Sequence, residues 1–340
     1  MTSSLSAEQQ FSLSIRDAMD CSLIMLPNPR GWNDKAKTPE QKQEIVDRAQ
    51  TLQTGINLSY ENKLVHARKV IRKALDSPVT WQLSFSGGKD SKVLSHLMYF
   101  DMGIKLPHVN SNTRMEYPET VAEIQKWYAL LRFYEIDCHV VFPDKRPKDL
   151  WKEIGVPLWS KMIAYKYRKF FRSASDKISK DVPENIKPVF HKLKAAGFKV
   201  TDQCCDELKK KPMKKFAKKM GFTGSFTGVR CAESRMRRLN WIRFGSLYNS
   251  SYHGDQWICN PLSFWTEDDI WRYLREHDIA PAPTGSARGG SGCVTCMFGC
   301  HMHEKNSMQE LAVTNPKMHK AALDDWGYRD VLDFLEIPYE

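Results

Sequence analysis

From Val79 onward the apolar residues of this chain fall into short, strand-length runs, separated by stretches in which they recur every three or four positions. Strands alternating with helices in this way predict an α/β fold: a parallel, Rossmann-like sheet with helices on its faces. The runs place strands at about Thr80 to Ser86, Ile104 to Val109, Ile136 to Phe142 and Gly224 to Val229. Val93, Leu94, Leu97 and Met98 share one helical face, so a helix opens near Asp90, and Pro118 with Glu119 starts another that reaches about Phe133. Residues 144 to 200, rich in Lys, Pro and aromatics, read as a helical insert with helices near Leu150 to Ile154 and Ser160 to Ser175. Met213, Phe216, Ala217 and Met220 form the stripe of a helix with Pro212 in its first turn. Farther on, Thr266 caps a helix whose Ile270, Trp271 and Leu274 pack and whose Asp268 and Asp269 complement the dipole.

Upstream, a turn-rich break at Pro27 to Gly31 precedes a polar, helix-favouring segment from Glu40 to Leu75, with an imperfect stripe of Leu64, Val65, Ala67, Val70, Ile71 and Leu75. The expected organisation is a helical N-terminal extension over 1–78, a nucleotide domain over 79–280 that carries the insert, and a Cys-rich segment over 281–340. Apolar and charged fractions of 41% and 27% are those of a folded globular protein, which excludes general disorder. No membrane-length apolar run and no signal peptide are present, so a cytoplasmic protein with no membrane partner is expected. Nine cysteines in that setting point to metal or redox chemistry rather than a disulfide framework. A net charge of +11 points to polyanionic partners.

The chemistry begins at Ser84-Phe85-Ser86-Gly87-Gly88-Lys89-Asp90-Ser91, between the first strand and its helix. Two glycines permit φ > 0 and close approach of a ligand, and the N–H groups of the first helical turn favour a phosphate. Lys89 adds a point charge, and Ser86 and Ser91 offer hydroxyls to phosphate or Mg²⁺. The Gly-to-Gly spacing of a Walker A loop is missing. In an open parallel sheet ligands bind beyond the carboxyl ends of the strands, where Asn112, Thr113 and Glu116 are expected beside the loop. Arg230, Arg235, Arg237 and Arg238 follow the fourth strand, and guanidinium forks there suit phosphate or sulfate oxygens. Lys209, Lys210, Lys211, Lys214, Lys215, Lys218 and Lys219 form a basic ridge with no interleaved acid, expected to meet a nucleic-acid backbone, chiefly through Lys214, Lys215, Lys218 and Lys219. Cys293-Val294-Thr295-Cys296, preceded by a glycine-rich loop with Arg288, supplies two thiolates to one metal or cluster. Cys204 and Cys205 are the natural remaining donors, with Cys300 and Cys231 as rivals, and either iron–sulfur or zinc suits sulfur ligation.

The Ser86–Ser91 stretch resembles the SGGKDS loop of the PP-loop family of ATP pyrophosphatases and sulfonucleotide reductases. Gly228, Arg230, Glu233, Ser234 and Arg237 resemble the G-x-R-x-x-E-S-x-x-R stretch of PAPS reductase-like proteins, and Asn260 to Leu274 and the downstream Tyr117-Pro118-Glu119-Thr120 are similar to segments of the same family. The vicinal Cys204-Cys205 with a distant Cys-x-x-Cys resembles the [4Fe–4S] arrangement of assimilatory APS reductases, with Lys209 keeping half of that family's basic pair. The resemblance runs in order from about 79 to 320, toward a bacterial and phage branch related to Dnd-type DNA phosphorothioation enzymes. It implies ATP or a sulfonucleotide at Ser84, Ser86, Gly87, Gly88, Lys89, Asp90, Ser91, Asn112, Gly228, Arg230, Glu233 and Arg237, with Lys89, Asp90 and Arg230 catalytic. The reductases' catalytic cysteine in a C-terminal ECGLH tail has no counterpart, since no cysteine lies in 301–340. The expected activity is therefore ATP-dependent adenylation of an acceptor, nucleic acid foremost, followed by cysteine-assisted sulfur transfer, with a cysteine desulfurase as sulfur donor. The alternatives are a PAPS or APS reductase and a non-catalytic nucleotide- or DNA-binding subunit.

Overall fold

The computed structural model describes residues 38–250, 255–281, 292–300 and 304–340. The Pro27–Gly31 break and the Arg288 loop lie outside the described residues. In chain order the elements open with α1 (Pro39–Ile56), α2 (Tyr60–Leu75), β1 (Trp81–Ser84), α3 (Lys89–His96), β2 (His108–Ser111), α4 (Pro118–Phe133) and β3 (Cys138–Val141). Next come α5 (Pro147–Ile154), β4 (Leu158–Trp159), α6 (Lys161–Arg172), α7 (Lys187–Ala195), α8 (Lys211–Met220) and β5 (Gly224–Phe226). The chain continues with α9 (Arg235–Phe244), β6 (Leu247–Ser250), β7 (Gln256–Cys259), α10 (Glu267–Glu276), β8 (Met297–Phe298), α11 (Ser307–Thr314), α12 (Pro316–Asp325) and α13 (Tyr328–Phe334). Among the described residues no helix is long and apolar enough to cross a membrane.

Six strands form one sheet in the order β3-β2-β1-β5-β7-β6. Pairing of β1 with β2, β1 with β5, and β5 with β7 is parallel, while β6 runs antiparallel to β7. The chain leaves β1 for β2 on one side and later returns to pair β5 on the other. The carboxyl end of β1 is thus a topological switch point, where open α/β sheets bind ligands. Packing within the sheet is close: Gly224 leaves room for the Trp81 ring, which a Cβ there would meet at 2.5 Å.

The chain divides into two compact units, one drawn from residues up to Asn110, Lys126–His139 and Ala217–Ala282, the other from Ser111–Gln125, Val140–Phe216 and Pro283–Glu340. In the first, the polar segment over Glu40 to Leu75 is two helices, because α1 ends at Asn57 and the Ser59 hydroxyl caps α2. The buried face of α2 includes Lys63, His66, Ala67, Val70, Ile71 and Ala74, while Val65 is exposed, so the stripe is rotated from the apolar pattern. Lys63 tolerates burial because its Nζ meets Asp269 at 2.7 Å. Thr266 caps α10, as the sequence suggested, and Asp269, expected there only to complement the dipole, also closes a capping box with it.

The second unit has its own core, with Leu150, Trp151, Leu158, Tyr167, Phe190 and Tyr328 among its buried members. The insert is not wholly helical: β4 pairs parallel with β8, Leu158 opposite Met297. At the end of α5, Gly155 takes φ +91° and ψ 175°. A Cβ on it would lie 2.1 Å from the Lys199 carbonyl oxygen, which also accepts from the Val156 N–H.

Candidate functional site

In the first unit the loop after β1 turns at Gly87, φ +76°, and Gly88 forms the N-cap of α3 without a side-chain cap. The first-turn N–H groups of α3 therefore have no side-chain oxygen from Gly88, as an anion-binding helix start requires. Two hydroxyls knit the turn. Ser91 Oγ donates to Gly88 O at 2.8 Å and lies 3.2 Å from Ser86 Oγ. Ser84 faces the neighbouring strand instead, its hydroxyl 2.7 Å from that of Ser225. Gly228 passes tightly against the start of α3, since a Cβ there would come within 3.0 Å of Asp90 backbone atoms and 3.1 Å of Ser91 N.

Arg230 departs from the expected free phosphate fork. It is 2% exposed, and its Nε donates to Asp90 Oδ1 at 2.7 Å. Its Nη2 reaches Glu267 Oε2 at 2.7 Å and Glu233 Oε1 at 3.5 Å. A cation held by three carboxylates fastens the loop helix to its neighbours and does not itself present donors to solvent. Arg237 pairs with Glu233, and burial lowers its pKa. Lys89 Nζ lies 3.3 Å from Glu267 Oε1. Burial works to raise the Glu267 pKa, but Lys89 and Arg230 together hold it below the usual carboxylate value. Glu267 is the residue that sequence reading missed. Its only signal was the acidic first turn of α10, which reads as dipole complementation.

In the second unit Cys204, Cys205, Cys293 and Cys296 line one small pocket of about 20 Å³, together with Thr113, Trp151, Pro157, Leu208, Lys209 and Thr295. The Cys-x-x-Cys turn is held by β8, by Val294 N–H donating to Met115 O at 2.8 Å, and by Tyr328 OH donating to Thr295 O at 2.8 Å. Cys204 and Cys205 sit on a helical turn that runs through a π-turn, Asp206–Lys210, into α8. Arg168 anchors the segment leading into that turn through Asp202, at 2.6 Å. Thr113 Oγ1 lies 3.6 Å from Cys293 Sγ and donates to Glu116 at 2.8 Å, which joins these two residues to the cysteines. Asn112 Oδ1 accepts from Arg114 N–H at 2.8 Å.

The thiols are electrostatically unequal. The bond from Cys204, with Lys161 and Lys209 nearby, holds Cys205 low against the opposing effect of burial, and the same bond with burial pushes Cys204 up. Burial pushes Cys293 up to about 11, opposed by Lys209 and Thr113. For Lys209, burial favours the neutral amine, but Cys293, Glu116, Cys205 and Cys296 outweigh it and raise the pKa. Cys300 packs in the core of the second unit and Cys231 in that of the first, and neither lines this pocket.

Four thiols on one pocket are a donor set that suits an iron–sulfur cluster or zinc. Among the described residues no three His, Cys, Asp or Glu side chains are grouped around a point that could hold a metal ion. The buried Thr295 Oγ1 and Trp151 Nε1 on the pocket wall have no hydrogen-bond partner, as donors facing an absent acceptor would.

The lysine ridge is thinner than its sequence implied. Lys209 turns into the cysteine pocket, Lys210 pairs with Asp206 and Lys211 with Glu207 one helical turn back, and Lys215 reaches Asp144 at 3.2 Å. Lys214, Lys218 and Lys219 remain as an exposed face of α8.

The profile of the phosphoadenosine phosphosulfate reductase domain matches residues 164–284, which leaves the Ser86–Ser91 loop outside the match. The chain is 25% identical over 285 residues to sulfate adenylyltransferase subunit 2 of Hyphomonas neptunium, covering 77% of this chain and 69% of that protein. It is 24% identical over 227 residues to the same subunit of Sulfurimonas denitrificans, covering 66% of this chain and 64% of that one. Among solved structures, the PAPS reductase of Candida auris in its phosphate complex aligns with a TM-score of 0.41 at 14% identity, over 73% of this chain and 90% of its own. The U34-tRNA thiolase NcsA of Methanococcus maripaludis with its [4Fe-4S] cluster aligns with a TM-score of 0.38 at 14% identity, over 80% and 79%. Over residues 164–284 the chain is thus similar to the phosphoadenosine phosphosulfate reductase domain.

Proposed function

We propose that this chain is a PP-loop ATP pyrophosphatase that adenylates an acceptor oxygen so that sulfur can replace it. The observation that carries the sulfur step is the convergence of Cys204, Cys205, Cys293 and Cys296 on one pocket. ATP enters with Mg²⁺, and the N–H groups at the start of α3 and Lys89 balance charge as the acceptor oxygen attacks the α-phosphorus and pyrophosphate leaves. Asp90, clamped by Arg230, keeps the start of α3 in place. A sulfide-level nucleophile then displaces AMP, exchanging a bond to oxygen for one to sulfur with no net electron transfer. Three of the four cysteines would suffice to hold a [4Fe–4S] cluster, whose iron left without a thiolate would supply a site that binds sulfur; Lys161 and Lys209 offset the thiolate charge. The two adenylyltransferase relatives favour a second reading in which sulfate is the acceptor.

The test is pyrophosphate release from Mg·ATP by anaerobically prepared protein, with sulfate, RNA and DNA as acceptors. Lys89→Ala is expected to slow release by about 10²–10³-fold, the cost of one preorganised donor. Cys204→Ser/Cys293→Ser is expected to lose iron, sulfide and sulfur product while still releasing pyrophosphate. Release stimulated by sulfate alone, from protein without iron or sulfide, establishes the second reading instead.

A nucleic-acid acceptor requires the α8 face to meet phosphates. Replacement of Lys214, Lys218 and Lys219 by Gln is then expected to flatten the log affinity against log salt line by about 0.9 per contacting lysine on duplex, equally for all sequences. An unchanged slope in a filter-binding titration removes this face from the interface.

A further inference from the structure

Resting on the phosphate role proposed for the loop, we infer that Glu267 is a built-in counter-anion: it occupies the loop's cationic groups, must be displaced by an incoming phosphate chain, and so selects which anions enter. Both of its oxygens are engaged, Oε1 with Lys89 Nζ at 3.3 Å and with Trp271 Nε1 at 2.9 Å, and Oε2 with Arg230 Nη2 at 2.7 Å. Three cations, Lys89, Arg230 and Arg237, face three carboxylates, Asp90, Glu233 and Glu267. Such a cluster is locally neutral and attracts a polyanion poorly until a carboxylate turns away.

Glu267 is the carboxylate built to turn. Its side chain is 51% exposed, against 20% for Asp90 and 26% for Glu233. Its backbone is fixed by the Thr266–Asp269 capping box, so the side chain can swing into water without moving α10. A carboxylate tethered beside Lys89 competes at the high effective concentration of an intramolecular group. An anion that gains one contact, such as inorganic phosphate or sulfate, competes poorly with it. A di- or triphosphate that also engages the N–H groups at the start of α3 can displace it. Glu267 is thus a specificity-determining residue that favours polyphosphates over single oxyanions.

The test is calorimetric titration of the full chain with pyrophosphate, ATP and inorganic phosphate, with EDTA and with Mg²⁺. Glu267→Gln is expected to bind pyrophosphate about tenfold tighter than wild type, the scale of one charge interaction near a surface. It should bind inorganic phosphate tighter by a larger factor, so that discrimination shrinks. Glu267→Asp, which keeps the charge on a shorter arm, should fall between, and Asp268→Asn should match wild type. Equal or weaker pyrophosphate binding by Glu267→Gln, with Asp268→Asn unchanged, overturns the inference while leaving the loop's phosphate role intact. Absence of pyrophosphate and ATP binding in every variant and in wild type overturns the loop's role and this inference with it.

Discussion

Arg230→Met is expected to lower the stability of the first unit by about 3 kcal/mol, the lower end of the range for removing one partner of a buried ion pair. The guanidinium is 2% exposed and is the group that neutralises Asp90, whose side chain is only 20% exposed. Methionine fills most of the volume, so the loss comes from stranded charge rather than a cavity. The cost is not larger because Glu267 keeps Lys89 and Glu233 keeps Arg237. Asp90→Asn in the same chain should restore part of the loss, a coupling that a double-mutant cycle measures directly. Because the chain has two units, hydrogen exchange of peptides covering residues 84–98 and 224–240 is the sound readout. Unchanged protection there in Arg230→Met would show that the clamp does not hold the loop.

Gly155→Ala is expected to cost the second unit at least about 3 kcal/mol. A φ of +91° with ψ 175° is a region that essentially only glycine occupies, worth about 1–3 kcal/mol in strain alone. The added methyl would also stand 2.1 Å from the Lys199 carbonyl, which cannot retreat because it accepts the Val156 N–H. The parallel bridge between Val156 and Val200 would open, and Thr201, Asp202 and the cysteine pair follow it in the chain. Faster modification of Cys204 and Cys205 by a maleimide, with a lowered urea midpoint, is the expected pair of results. Wild-type rates would mean that the segment shifts without strain.

Local signals carried much of the fold into the sequence. The helix expected from Pro118 to about Phe133 is observed over those residues, because its start is set by a proline and its length by its own residues. The expected strand from Thr80 to Ser86 shortens to Trp81–Ser84, since a ladder lasts only as long as its neighbours, and apolar runs say nothing about those. The Ser86–Ser91 turn was legible for the same local reason: its glycines, hydroxyls and lysine are consecutive. Arg230 was not, because its role depends on Glu267, 37 residues away, and nothing in the spacing marks the two as partners. Lys209 likewise reads as one more member of a charge run, and only the pocket shows that it answers thiolates and Glu116. Distant cysteines could be grouped in advance only through a family resemblance; Thr113 was expected beside the Ser86–Ser91 loop rather than beside them, and Trp151 carried no signal as a pocket wall.

The π-turn that follows the cysteine pair has a consequence for gene-level changes. A π-turn is one residue inserted into an α-helix, and it offsets the helix before it from the helix after it by about 100° in phase. Leu208 and Lys209, inside the π-turn, line the same pocket as Cys204 and Cys205, so the phase offset falls between this pocket-lining stretch and the rest of α8. Point substitutions in this stretch leave that phase alone. A single-codon deletion does not: it would let the helix run on as regular α and swing the thiols around the axis by about 100° relative to the apolar stripe of α8. Reading frame would be preserved and the composition almost unaltered, yet the pair would leave its pocket, so length between Cys205 and Pro212 is under tighter constraint than identity.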